Sequence, residues 1–156
     1  MAFASHLGPW LLGTVKNTTG TTAGNIRNMG ATQVAQTIPV TAGTFTSLTG
    51  TLGSVPAGAL ITGVTIITST LFNSATTLIV TIGGTDTATA TTITAAGVYP
   101  ITLATTFAAT AANVGSTDAL ITYTATGTPA TGAATIVVSY VVRNSDGAAN
   151  PSATQN

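Results

Sequence analysis

The stretch Ala133-Ala134-Thr135-Ile136-Val137-Val138-Ser139-Tyr140-Val141-Val142 decides the fold. Ile136, Val138, Tyr140 and Val142 alternate with Thr135, Val137, Ser139 and Val141, and a period of two places each set on one face of a strand. The same period recurs upstream. Ile121 and Tyr123 alternate with Thr122 and Thr124; Leu78, Val80 and Ile82 share one parity; Tyr99, Ile101 and Leu103 share another; Leu60, Val64 and Ile66 recur within residues 59–70. Turn signals separate these runs: Val55-Pro56-Ala57-Gly58, Phe72-Asn73-Ser74, Gly83-Gly84-Thr85-Asp86, Ala96-Gly97, Gly127-Thr128-Pro129 and Gly132. About eight short strands with short connections predict an all-β antiparallel sandwich or jelly roll. Helical periodicity is weak, its best candidate being residues 107–113, which are too few to stand alone.

The predicted core comprises Leu60, Val64, Ile66, Phe72, Leu78, Val80, Ile101, Leu103, Phe107, Ile121, Tyr123, Ile136, Val138 and Tyr140. Apolar residues also occupy the opposite parity at Ile61, Ile67, Ile79, Val137 and Val141. A second apolar face is a candidate subunit interface; cover by a loop or by the N-terminal segment would account for it equally. Three regions follow: an extended N-terminal arm over 1–30, the sandwich over 31–143, and a polar tail over 144–156.

Composition narrows the function. Charged residues make up 4% of the 156-residue chain, against about 25% in an average globular domain. They are Lys16, Arg27, Arg143, Asp86, Asp118 and Asp146, while Thr accounts for 37 of the 156 residues. Thr favours strands and keeps a surface wet without charge. So little charge leaves scant repulsion against self-association, as expected of a surface covered by other subunits. A sparingly charged secreted domain is the plainer alternative. Three basic residues neutralise too few phosphates for non-specific nucleic-acid binding. No run approaches the roughly 20 apolar residues of a membrane helix, so no membrane partner is expected. Residues 1–6 offer neither a basic region nor a long apolar run, so no signal peptide is expected.

Catalysis needs an acid or base, an activated nucleophile or a metal. The single histidine, His6, falls in the arm, a poor place to fix a catalytic base. There is no cysteine, and the three aspartates are far apart in sequence, so neither a soft-metal nor a calcium site is expected. Gly83-Gly84 and Gly127 belong to no phosphate-binding fingerprint. The reading is a structural protein with no catalytic residues, cofactor or metal. Trp10, beside Pro9, Leu11 and Leu12, is a candidate anchor for a partner's pocket.

Two series of residues carry a resemblance. One is Val55-Pro56-Ala57-Gly58-Ala59-Leu60-Ile61-Thr62-Gly63-Val64, then Leu71-Phe72-Asn73-Ser74-Ala75-Thr76-Thr77 and Val80-Thr81-Ile82-Gly83. The other is Val114-Gly115-Ser116-Thr117-Asp118 with the terminal run from Gly132 to Val141. Together they resemble small jelly-roll virion proteins of tailed bacteriophages, including capsid decoration (cement) and head-fibre proteins, over residues 55–142. Gly8-Pro9-Trp10-Leu11-Leu12-Gly13-Thr14-Val15 and Arg27-Asn28-Met29-Gly30 look similar to arms of marine-phage structural proteins. The resemblance implies a subunit, often a homotrimer, that binds the major capsid protein on the outside of the shell and reinforces it. On this reading the arm supplies the capsid contact through Trp10, Leu11, Leu12, Val15, Arg27 and Met29, and the second apolar parity, Ile61, Ile67, Ile79, Val137 and Val141, supplies the candidate subunit interface. A tail or fibre receptor-binding module, and a filament or surface-layer subunit joined by strand addition, are the alternatives on the same fold.

Overall fold

The computed structural model describes residues 33–141. They form β1 (Gln33–Thr41), β2 (Thr49–Val55), β3 (Leu60–Thr70), β4 (Thr77–Ile82), β5 (Thr85–Asp86), β6 (Thr91–Thr92), β7 (Gly97–Pro100), β8 (Ala119–Thr126) and β9 (Ala133–Val141). A 3₁₀ turn, Ala42–Thr46, follows β1; a second, Thr105–Phe107, runs into the short helix α1, Ala108–Ala112. The weak helical candidate over 107–113 is realised only as this five-residue helix, packed onto the sandwich rather than standing alone.

Two antiparallel sheets face each other. Sheet A has the order β1-β9-β3-β7; sheet B has the order β2-β8-β4-β5, with β6 also paired to β4. β5 and β6 act as one interrupted strand. Thr81 pairs with Asp86 and Leu78 with Thr91, so the register slips by two residues between them. Thr87 fills the gap by donating both its N–H and its hydroxyl to the Val80 carbonyl, at 2.9 Å each. Counted as eight strands, the sheets read 1-8-3-6 and 2-7-4-5, in which consecutive strands lie in opposite sheets except at the β4–β5 hairpin. That is jelly-roll order. The hairpin turns through Gly83 and Gly84 at φ 59° and 79°, the positive pair that matches the twist of its strands.

The alternating runs become the two inner faces. Val64, Ile66, Phe72, Leu78, Val80, Phe107, Ile121, Tyr123, Ile136, Val138 and Tyr140 are buried, as expected. Ile101 and Leu103 pack partly buried against that core. Leu60 and Ile61 exchange their expected places. Ile61 is buried and Leu60 is not, because a β-bulge between Ile61 and Gly63 inserts Thr62 opposite the Tyr140–Ser139 step. One extra residue flips the parity of everything before it. Ile61 is thus a core residue and leaves the candidate interface.

At one end of the core Phe45, from the first 3₁₀ turn, meets Phe72 at 5.3 Å and Tyr123 at 5.5 Å between ring centroids. The Tyr123 hydroxyl lies 2.6 Å from the Thr44 carbonyl and 2.9 Å from that of Ser47, tying the turn to β8. Such tilted and edge-on pairs add to simple burial.

Thr68 is the exception in the core. It is 3% exposed, and its hydroxyl is the buried side-chain group with no hydrogen-bond partner among the described residues. A buried hydroxyl without a partner costs about 1–3 kcal/mol, and Val has nearly the same shape. Thr68→Val is expected to raise stability by about 1 kcal/mol, read as a higher urea midpoint at an unchanged slope. A lower midpoint would contradict the assignment.

Candidate interaction surfaces

Charge is distributed unevenly along the chain. Residues 33–141 contain Asp86 and Asp118 and no Lys, Arg or His; all three basic residues lie in the flanking segments. Both aspartates sit at one end of the sandwich. The Asp118 carboxylate accepts the Ala57 N–H at 3.0 Å just before β3 begins, and Asp86 accepts the Thr81 hydroxyl at 2.6 Å beside the β4–β5 turn. Gln33, Val141 and Leu60 are register partners at that same end. Residues 1–32 and 142–156 therefore join the sandwich on neighbouring strands, at its acidic end. The opposite end, made by the turns after β1, β3 and β8, carries no charge.

The two outer faces differ in chemistry. On sheet B, register brings together Thr49 with Thr124, Thr51 with Thr122 and Thr81, and Thr126 with Thr77 and Thr92. The Thr77 and Thr126 hydroxyls are hydrogen-bonded at 2.7 Å. Half-buried Ile79 and exposed Leu120 are the apolar side chains in this threonine field. Asp86 extends one of its rows.

On sheet A, Thr37, Val137, Thr65 and Pro100 form one row, and Pro39, Thr135, Ile67 and Val98 the next. Further along lie Ala35, Ser139 and Gly63, then Gln33, Val141 and Leu60. None of these residues is charged. Val98 is 65% exposed and Ile67 38% exposed, side by side.

The edges of sheet A are blunted. Pro39 lies in edge strand β1 and Pro100 in edge strand β7. A proline in a ladder must turn its missing N–H away from its partner strand. The Ile101 N–H bond to the Val64 carbonyl, 2.9 Å, fits that arrangement beside Pro100. Each free edge thus lacks a donor where an added strand would need one.

Of the residues expected to contact a partner, Trp10, Leu11, Leu12, Val15, Arg27 and Met29 lie outside the described residues, as do His6 and Asp146. The five expected at a subunit interface do not share one surface. Ile67, Val137 and Val141 lie on the outer face of sheet A, Ile79 lies on that of sheet B, and Ile61 is in the core. Sequence reasoning missed Val98 and Pro100. Their signal was present, since Val98 has the parity opposite to Tyr99 and Ile101. No group of three His, Cys, Asp or Glu side chains comes together among the described residues.

No family model matches the chain, and no curated protein does. Among solved structures, a chain of the "Cyanophage Pam1 capsid asymmetric unit" is similar over 74% of this chain and 89% of its own length, at 16% identity and a TM-score of 0.39. The fold assignment rests on the sheet order rather than on so loose a likeness.

Proposed function

We propose that this chain is a structural virion protein that binds the outside of a phage capsid shell and stabilises it, as a decoration or cement subunit. The observation that carries the proposal is the nearly charge-free surface of the sandwich: across both outer faces, Asp86 is the one charged residue among those described. Such a surface suits lasting cover by protein better than free solution. Jelly rolls serve viral shells among other tasks, which supports the reading by analogy only. The phage-protein resemblance over residues 55–142 points the same way.

In this account the acidic end, where both flanking segments join, faces the shell. Residues 1–30 cross onto neighbouring capsid subunits with Trp10, Leu11 and Leu12 as apolar anchors. Binding stabilises the shell by mass action, because only the assembled lattice offers the complete site. The subunit associates with copies of itself and has no catalytic role. Pro39 and Pro100 obstruct strand addition to sheet A, which disfavours a filament joined through that sheet.

Contacts carried by apolar anchors change little when salt shortens the screening length, and both carboxylates of the acidic end are already hydrogen-bonded within the sandwich, Asp118 to the Ala57 N–H and Asp86 to the Thr81 hydroxyl. Retention on particles is therefore expected to be unchanged between about 0.1 and 1 M NaCl, where that length falls from about 10 to 3 Å. Deletion of residues 1–30 is expected to abolish attachment in a co-sedimentation assay while leaving the β circular-dichroism spectrum intact. Release by moderate salt, or full occupancy by the truncated chain, would contradict the proposal.

A further inference from the structure

We propose that the outer face of sheet A docks a second copy of this chain. The inference deepens the reading of the protein as an assembly subunit: it names which face makes the subunit contact. Four observations support it.

First, the face has no charged residue, so two copies meet without repulsion and without stranding an ion between them. Burying an unpaired charge is what most often forbids such a contact. Second, the apolar residues concentrate here. Ile67 and Val98 are register partners at 38% and 65% exposure, with Pro100 and half-buried Val137 in the adjoining row. The outer face of sheet B presents hydroxyls in the corresponding places and is already wetted by them. Third, Pro39 and Pro100 blunt both edges of sheet A, which favours its face over its edges for association.

Fourth, the area reaches the lower bound for a stable contact. β1 and β9 are nine residues long, β3 eleven and β7 four. With strands about 4.8 Å apart and a rise of about 3.3 Å per residue, the plane covers roughly 500 Å² before side-chain relief is added. Two copies face to face then bury about 1,000 Å² in total, the size at which specific interfaces begin, whereas crystal contacts mostly bury less than about 800 Å² in total.

The test uses the full chain and needs no capsid. Wild type is expected to sediment as an oligomer at about 50 µM, a concentration at which a standard-size interface of even micromolar affinity is occupied. The double variant Ile67→Lys/Val98→Lys places like charges face to face, at a cost of several kcal/mol. The dissociation constant is then expected to rise at least about 100-fold, giving monomers. Val98→Lys alone, at the more exposed site on an edge strand, keeps the test available should the double variant fail to fold. Thr124→Lys, on sheet B, is expected to leave the oligomer unchanged. A monomeric wild type, an oligomer that survives folded Val98→Lys and Ile67→Lys/Val98→Lys, or dissociation by Thr124→Lys would overturn the proposal. Because the oligomeric state is read in solution, its failure is distinguishable from failure to bind a capsid, which the particle assays read.

Discussion

Gly132→Ala is expected to destabilise the sandwich by about 3–5 kcal/mol, which combines a forbidden backbone conformation with overpacking of the core. Gly132 holds φ at 145°, and a methyl group there would come within 2.2 Å of Phe72 Cδ1 and 2.5 Å of Cγ. Neither partner can yield cheaply. Phe72 is 1% exposed and packs on Phe45. Gly132 is fixed by its carbonyl, which accepts the Ala42 N–H at 3.0 Å. For a sandwich of this size each kcal/mol shifts the melting temperature by about 4 °C, so a fall of roughly 12–20 °C is expected. Gly63→Ala is the matched control. A Cβ at Gly63 meets nothing within 4 Å, so the change should stay within about 0.5 kcal/mol. Equal melting temperatures for the two variants would refute the packing described at Gly132.

Phe45→Ala should be comparably severe, at about 3–5 kcal/mol, the usual cost of emptying a buried phenylalanine site. Phe45 is 0% exposed although it sits in a 3₁₀ turn rather than a strand. It is the element through which that turn joins the core, between Phe72 of the β3–β4 connection and Tyr123 of β8. Its loss leaves a cavity bounded by two aromatic rings, with Tyr123 held in place by its hydroxyl against the Thr44 and Ser47 carbonyls. Chemical denaturation should show the lower midpoint. A loss under about 1 kcal/mol would mean that the site collapses freely, contrary to the close packing expected of a protein core.

Gly132 stood among the turn signals of the sequence, whereas Phe45 marks where its reading stopped. The strands were legible because the period of two survives in β4, β8 and β9, where nothing interrupts the ladder. It misled in β3, where the bulge at Thr62 reversed Leu60 and Ile61. A bulge leaves little trace in a run as apolar as Leu60-Ile61-Thr62-Gly63-Val64. Phe45 escaped because its burial comes from a turn folding back, and Gly-Thr-Phe-Thr has no period to read. The division of the second apolar parity between sheets A and B also lay beyond the sequence: alternation says that two faces exist, and only strand order says which strands share one. The lack of charge needed no structure to be seen. Its consequence did, since the placement of Asp86 and Asp118 at the end where the flanking segments join follows from register.

The central claim is that this chain sits on the outside of a phage shell, and its location on the native particle tests it most directly. A cryo-electron microscopy map of the virion, fitted with residues 33–141, should show sandwich-shaped densities grouped at regular lattice positions on the outer capsid surface, with the acidic end turned towards the shell. Density confined to the tail or to a fibre tip, or a bare shell on particles that contain the chain, would contradict it.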